Sequence, residues 1–295
     1  MGSDGLLRRL GRSEGAGGLL MMSPTAIYAI LLLAAPLATV LVYSVLTDGQ
    51  GRVVWDFSLK NYVEVWTGPI YRAIMIRSLI VALLVTLVTV AIAYPIAYFV
   101  SFHVQPSKKS MWLFLITIPF WTSYLIRVFL WKVILGYNGV INSGLISLGI
   151  IDTPLQAINY NVGALVTTLA HAYAPFAILP IFVALEKIDR SLLEAGQDLG
   201  ESRLMTFLRV TLPLSMTGVI AAVLIVFIPT IGDYVTPDLI GGGKLPMIAN
   251  MIEVQMLKLN QKALGSAIAV SAMFIVTVVA LVFLFLNRRF LGAQR

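Results

Sequence analysis

Residues 194–213, with the sequence EAGQDLGESRLMTFLRVTLP, form the longest polar segment with helical character in a chain that is otherwise mostly apolar. Ser191 and Glu194 have the N-cap and N3 spacing of a capping box, so a helix is predicted to begin here. Gly200 then predicts a turn. Pro213 begins a new apolar helix, because proline is tolerated in the first turn of a helix. The stretch therefore predicts a helix–turn–helix between two apolar segments.

Composition places the chain in a membrane. Of its 295 residues, 59% are hydrophobic and 12% are charged, with a mean hydropathy of +0.90. A soluble domain has about 25% charged residues. The net charge of +7 is explained more simply by basic cytoplasmic loops beside a lipid bilayer than by nucleic acid. Cysteine is absent, which excludes disulfides and thiolate chemistry.

The hydropathy pattern predicts an all-α integral membrane protein with six transmembrane helices in one domain, residues 24–290. Residues 1–23 and 291–295 are interpreted as short tails. A signal peptide is the alternative for the N-terminus, but no charge follows Glu14 until Asp48, so a retained span is favoured. The six predicted spans are 24–46, 76–101, 111–135, 161–185, 213–232 and 265–287.

The distribution of Lys and Arg favours both termini in the cytoplasm, with twelve basic residues inside, seven outside and two within a span. This orientation also places residues 194–213 in the cytoplasm. The inner set is Arg8, Arg9, Arg12, Lys108, Lys109, Lys187, Arg190, Arg203, Arg209, Arg288, Arg289 and Arg295, and the outer set is Arg52, Lys60, Arg72, Arg77, Lys244, Lys258 and Lys262.

The polar segment resembles the EAA motif of ABC-importer permeases, which implies a type I importer permease fold. The resemblance implies a cytoplasmic coupling loop, about residues 186–213, that lies in a cleft of a separate ATPase subunit. Gly196 departs from the motif's second alanine, at a cost of about 1 kcal/mol in helix propensity. An ordinary amphipathic connector is the alternative. The residues assigned to coupling are Glu194, Ala195, Gly196, Asp198, Gly200, Leu212 and Pro213.

Two further stretches, residues 119–136 and 232–243, resemble permease subunits of the spermidine/putrescine class of bacterial ABC importers. This resemblance implies a second, similar permease subunit, an ATPase subunit dimer and an extracytoplasmic solute-binding protein in a bacterial cytoplasmic membrane. It also implies that ATP and Mg²⁺ are used by the ATPase partner, and that this chain binds no cofactor.

A polyamine requires carboxylates and aromatic faces, because ammonium groups form ion pairs and cation–π contacts. Three such residues follow the fifth span, and three aromatics in the third span have spacings that allow one shared helix face. Interfacial anchoring or core packing is the alternative for the aromatics. The predicted substrate path contains Trp121, Tyr124, Trp131, Asp233, Tyr234 and Asp238, together with Arg127.

Arg127 is the costliest residue for a membrane span. If the third span begins near Met111 and is straight, 1.5 Å per residue places Arg127 about 24 Å across the membrane. Charges at such depth pair with a partner or face a cavity, and Asp233 is the predicted partner. A gate and a structural ion pair are both open interpretations. A cationic residue here also keeps importers of anions, opines or amino-acid-like solutes as alternatives.

Catalytic chemistry has no recognisable constellation in the sequence. His103 and His171 lack the spacing of metal ligands, and 241–244, GGGK, lacks both the earlier glycine and the hydroxyl residue of a phosphate-binding loop. We therefore expect no catalytic residue, no metal site and no enzyme activity. A stand-alone secondary transporter or channel is the main rival, but no span interior contains a carboxylate and no internal repeat is evident.

Overall fold

The structure is a computed structural model that describes residues 14–49, 51–155, 158 and 160–291. The described part is helical apart from one hairpin of two short strands. Residues 14–23 of the predicted N-terminal tail belong to the first helix. The rest of that tail, residues 1–13, and residues 292–295 of the C-terminal tail lie outside the described residues.

Long apolar helices dominate the described chain. Five of them are long and apolar enough to cross a membrane, and a bent pair of helices supplies a sixth span if counted as one. Their lengths fit the requirement of about 20 apolar residues for the hydrocarbon core. The five spans are Met21–Ser44 within α1 (Glu14–Ser44), α3 (Pro69–Phe102), α7 (Val162–Glu186), the continuous helix Arg203–Gly232 that ends in α10 (Leu212–Gly232), and α13 (Lys262–Leu286).

The third predicted span is not a straight helix. It consists of α4 (Pro106–Thr117), a 3₁₀ turn (Ile118–Trp121) and α5 (Tyr124–Ile134), and the two halves are bent by 85°. Pro119 in the turn lacks a backbone N–H, and Thr122 has an extended backbone with ψ of 149°. The assumption of one continuous helix over residues 111–135 was therefore wrong.

The main core lies among α3, α7 and α10, and α7 packs against the other two more extensively than any other pair of described helices does. Small residues permit their close approach: a Cβ at Gly218 of α10 would lie 2.5 Å from the carbonyl oxygen of Pro180 and 2.6 Å from Ala184 Cβ. By contrast, α1 packs chiefly against α13 and leaves most of its apolar surface uncovered.

Short elements connect the spans. Asp48 of the strand hairpin accepts backbone N–H bonds from Ala263 and Leu264, at 3.0 and 2.9 Å, and so caps the start of α13. The connecting elements are β1 (Thr47–Asp48), β2 (Val53–Val54), α2 (Lys60–Thr67), α6 (Val140–Ser147), α8 (Arg190–Asp198), α9 (Arg203–Thr206), a π-helical turn (Phe207–Thr211), α11 (Val235–Gly241), α12 (Ile248–Glu253), a second π-helical turn (Val254–Lys258) and α14 (Arg288–Leu291).

Candidate functional site

The predicted coupling loop, residues 186–213, has the helix–turn–helix form: α8 is followed by a turn and then by α9, which continues through the π-helical turn into α10. We keep the name coupling loop for this segment. Its first N-cap is not Ser191. Asp189 accepts the backbone N–H of Ser191 at 3.0 Å and α8 begins at Arg190, which leaves Glu194 in the middle of the helix. The predicted capping box was therefore wrong, because an aspartate two residues earlier is an equally good cap. The same backbone N–H bond lowers the pKa of Asp189.

Gly200 forms the turn between the two helices. Its φ of +86° lies in the left-handed region that favours glycine. The N–H of Gly200 donates to the carbonyl of Gln197 at 2.9 Å, and the N–H of Glu201 donates to the carbonyl of Gly196 at 3.1 Å. Ser202 then caps α9 by accepting the N–H of Met205 at 3.3 Å. The turn is thus built from local backbone bonds.

Gly196, the departure from the motif, lies where the two helices of the coupling loop meet. A Cβ at this position would lie 3.3 Å from two side-chain atoms of Thr206, which is itself buried. The missing side chain therefore allows α9 to pack closely against α8. This contact explains the glycine better than flexibility of the helix does.

The outer surface of the coupling loop is uncovered in the single chain. Glu194, Ala195 and Asp198 are exposed, while Leu212 and Pro213 are half-buried at the start of α10. Contiguous exposed apolar residues between polar ones mark interaction surfaces. The exposed apolar side chains of the loop are Leu192, Leu199, Leu204, Met205 and Leu208.

At the opposite end of α10, Asp233 is buried, with 8% of its surface exposed. One carboxylate oxygen accepts the hydroxyl of Tyr124 at 2.6 Å. The other accepts the backbone N–H groups of Val235 and Thr236, at 2.9 and 3.2 Å. The Thr236 hydroxyl lies 2.6 Å from that of Tyr124. We call Tyr124, Arg127, Asp233 and Thr236 the Asp233 cluster.

Arg127 belongs to this cluster through Tyr124. Its guanidinium lies over the rings of Phe120 and Tyr124, at 5.0 and 6.0 Å, and donates to the carbonyl of Pro119. That carbonyl precedes the break between α4 and α5. Arg127 is 9% exposed, and its Nε has no hydrogen-bond partner among the residues that the structure describes. The depth of about 24 Å expected for a straight helix does not apply, since the span bends before Arg127.

The predicted ion pair between Arg127 and Asp233 is not formed. Arg127 is satisfied by a backbone carbonyl and aromatic rings, while Asp233 is satisfied by a hydroxyl and backbone N–H groups. Asp233 thus has no cationic partner within the described chain. The ion pairs among the described residues join Lys109 to Glu186, Arg209 to Glu201, and Lys258 to Glu253.

The structure separates the other predicted path residues. Trp121 is 77% exposed and precedes the break, so it does not share a helix face with Tyr124. Trp131 faces α7, where its indole N–H donates to His171 Nδ1 at 3.1 Å. Tyr234 and Asp238 are exposed beside the cluster. Sequence reasoning missed Phe120, which follows Pro119 in the turn of the bent span, and Thr236, which precedes Pro237 in the first turn of α11.

Comparison with known proteins identifies the family. Residues 73–292 match the model of the "Binding-protein-dependent transport system inner membrane component". Over 262 residues, covering 88% of this chain and 91% of the relative, the sequence is 34% identical to the spermidine/putrescine transport system permease protein PotB of Haemophilus influenzae.

Solved structures share the fold. A chain of a bacterial ABC transporter involved in the import of the acidic polysaccharide alginate superposes with a TM-score of 0.70 at 15% identity, covering 98% of this chain and 99% of that one. A chain of a bacterial alginate ABC transporter in complex with alginate pentasaccharide-bound periplasmic protein superposes with a TM-score of 0.69 at 17% identity, covering 92% of this chain and 93% of that one. The predicted importer-permease fold is confirmed.

These matches also agree with the several apolar helices of a multi-pass inner-membrane protein. The chain belongs to the family of binding-protein-dependent transport system inner membrane components, which are transport subunits and not enzymes.

Proposed function

We propose that this chain is a permease subunit that forms part of the translocation path for polyamines such as spermidine and putrescine in an ATP-driven importer. The observation that carries the proposal is the kinship with spermidine/putrescine permeases over nearly the whole length of both chains. The alginate transporters resemble this chain in fold alone, so their cargo does not bear on the substrate.

The chemistry of the Asp233 cluster supports a cationic cargo. Asp233 has a carboxylate without a cationic partner in the described chain, and its neighbour Tyr124 offers an aromatic face. Arg127 is held by the Pro119 carbonyl and by aromatic rings, so it does not neutralise Asp233. A polyamine ammonium supplies the missing countercharge. The exposed Asp238 and Tyr234 would meet the cargo first.

The coupling loop is the proposed contact with an ATPase subunit. Its exposed leucines provide an apolar surface, and Glu194 and Asp198 provide charges beside it. With both termini in the cytoplasm, this loop faces the compartment that holds ATP. Hydrolysis of ATP with Mg²⁺ belongs to an ATPase dimer, and a second permease subunit and a solute-binding protein complete the proposed importer. Closure of the ATPase dimer would move the loop and switch the spans between two states.

Reconstitution tests the proposal. The chain is co-expressed with its neighbouring transport genes, purified through a tag on this chain, and placed in proteoliposomes with the binding protein outside and ATP inside. We expect an ATPase and a second permease to co-purify, and labelled spermidine or putrescine to accumulate only with ATP. Uptake by the lone chain, or ATP-driven uptake of an anion instead of a polyamine, would overturn the proposal.

A further inference from the structure

Glu186, the last residue of α7, joins three segments that are distant in sequence. One of its carboxylate oxygens accepts the hydroxyl of Ser101, at the end of α3, at 2.6 Å. The same oxygen accepts the ammonium of Lys109, in the first turns of α4, also at 2.6 Å. Glu186 therefore fastens the corner between α3 and α4 to the point where the coupling loop begins.

Arg190 closes this arrangement from the coupling loop itself. It is the first residue of α8, and its guanidinium donates to the carbonyl of Ser101 at 3.0 Å. The guanidinium also lies 5.7 Å from the ring of Phe102. Only residues 187–189 separate α7 from α8. Glu186 before this connection and Arg190 after it both bond to Ser101, so both of its ends are held at the corner between α3 and α4. We call Ser101, Lys109, Glu186 and Arg190 the Glu186 junction.

The junction differs from the other ion pairs of the described chain. Arg209 with Glu201 and Lys258 with Glu253 each link neighbouring residues of one segment. The junction instead links residues 77 to 89 positions apart. Ser101 is 1% exposed and the Lys109 side chain 12% exposed, while the Glu186 side chain is 35% exposed and Arg190 is also exposed, so the junction is shielded on one side only. Hydrogen bonds to charged groups are the stronger ones, and the contacts to Ser101 and Lys109 are of this kind.

The corner between α3 and α4 is connected through α4 to the Asp233 cluster at the other end of the molecule. Lys109 lies in α4, which runs to the break at Pro119, where the Pro119 carbonyl accepts Arg127 of the Asp233 cluster. A displacement of α4 would therefore also move α5, the half of the bent span that begins at Tyr124. The coupling loop reaches this path through Arg190 and Glu186.

We propose that Lys109, Glu186 and Arg190 are positioning residues that make α8 move as one body with the corner between α3 and α4. Motion of the coupling loop is then transmitted to the bent span. This inference rests on the proposed binding of an ATPase to the coupling loop. It adds that transmission depends on a specific carboxylate outside the EAA motif.

The first test measures substrate transported per ATP hydrolysed by the reconstituted importer. Glu186→Ala should lower this ratio about fivefold or more, the lower range of allosteric coupling, while the ATPase stays bound. The charge exchange Lys109→Glu with Glu186→Lys should restore part of the ratio that either single change removes. Glu253→Ala, which breaks an ion pair at the opposite end, is the matched control. An unchanged ratio in Glu186→Ala, or loss of the bound ATPase, would overturn the inference.

The second test needs no transported substrate. Ser110 of α4 and Ser191 of α8 are exposed, and the absence of cysteine allows both to be replaced with Cys and spin-labelled cleanly. The distance between the labels should stay constant when ATP is added to the wild-type background and should change with ATP in Glu186→Ala. An ATP-dependent distance in the wild-type background would show separate motion and overturn the inference. Failure of the proposed function appears differently, as absence of a bound ATPase or of polyamine uptake.

Discussion

The coupling loop and the Asp233 cluster lie at opposite ends of α10 and are built in opposite ways. The loop comes from one continuous stretch of chain, its turn is held by local backbone bonds, and its apolar side chains are exposed. The cluster is assembled from α5 and the residues after α10, and its two charged side chains are buried. The coupling loop thus presents an exposed apolar surface, whereas the Asp233 cluster keeps its charged side chains away from solvent.

The coupling loop and the Asp233 cluster therefore need different things to bind their proposed partners. An exposed apolar loop gains stability only when another surface covers it. A buried carboxylate can meet a cation only when the packing around it opens, because an 8% exposed side chain has little contact with solvent. The exposed loop is therefore accessible to the proposed ATPase without rearrangement, while the Asp233 cluster is accessible to a cation only after the packing around it opens. Substitutions at each end of α10 test this difference.

Labelling from one side of the membrane should give the largest contrast, close to all or none. A cysteine introduced as Asp152→Cys should react with an impermeant reagent added outside intact cells, and one introduced as Ser202→Cys should not. Both positions are exposed in the chain. Gly242 is a poor choice for labelling, because its φ is +56° and a Cβ would lie 2.3 Å from the Tyr160 ring. Outside labelling of Ser202→Cys would reverse the proposed orientation.

Breaking the turn of the coupling loop should have the next largest effect. Gly200→Val places a β-branched residue at φ +86°, at a cost of about 1–3 kcal/mol. No neighbouring atom would contact the added Cβ, so the effect arises from the backbone alone. We expect polyamine uptake to fall about tenfold, since 1.4 kcal/mol corresponds to a factor of ten. The protein should remain in the membrane, as checked by immunoblotting of membrane fractions.

Gly144→Val is the matched control for this change. Gly144 also has open space around its Cβ position, but it lies within α6 and its φ is not positive. Its uptake should stay close to that of the wild type. Equal uptake by Gly200→Val and Gly144→Val would mean that the turn of the coupling loop does not matter for transport.

The form of the coupling loop could be predicted because its determinants are local. Gly200 is required by a left-handed turn, and this signal is contained in the residue itself. The prediction that Pro213 begins a new helix was wrong, because α9 continues through the π-helical turn into α10 as one helix over Arg203–Gly232. The start of α8 was misplaced because two good caps, Asp189 and Ser191, lie two residues apart. Only the backbone geometry distinguishes them.

The Asp233 cluster could be predicted only in part. Arg127 and its predicted partner Asp233 were singled out because charges are costly in a span, and Tyr124 because polyamines bind aromatic faces; the structure does bring the three together. The hydrogen-bond partner of Arg127 could not be predicted, because the 85° break in the span places the Pro119 carbonyl within reach of its guanidinium. Helical spacing then failed for Trp121, since spacing rules assume an unbroken helix.

Removing the charge from the cluster should have an intermediate effect. Asp233→Asn keeps an oxygen that can accept the backbone N–H groups of Val235 and Thr236, so the local fold is preserved. It loses the attraction for an ammonium group that reaches the carboxylate when the packing around it opens, about 1 kcal/mol or more. We expect uptake of spermidine to fall about fivefold at low substrate concentration and less at saturation, with the ATPase still bound. Initial rates over a substrate series measure this.

A second variant distinguishes a substrate contact from a structural ion pair. If Asp233 merely balanced Arg127, then Asp233→Asn would impair assembly, and adding Arg127→Gln would restore it. Because Arg127 is held by Pro119 and Phe120 instead, we expect no such rescue. Unchanged uptake of both polyamines by Asp233→Asn would remove this carboxylate from the cation path.

Restoring the motif's alanine should have the smallest effect. Gly196→Ala adds a Cβ that lies 3.3 Å from two atoms of the Thr206 side chain, a tight contact that a small shift of α9 can relieve. The same change gains about 1 kcal/mol of helix propensity in α8. Because the two contributions oppose each other, we expect uptake within about twofold of the wild type, a free-energy difference well below 1.4 kcal/mol.

Gly196→Val, with a larger side chain against Thr206, should be clearly worse, and Gly196→Val combined with Thr206→Ser should recover part of the loss. A strong defect in Gly196→Ala that Thr206→Ser does not relieve would show that the glycine serves the ATPase contact and not the packing of α9 on α8.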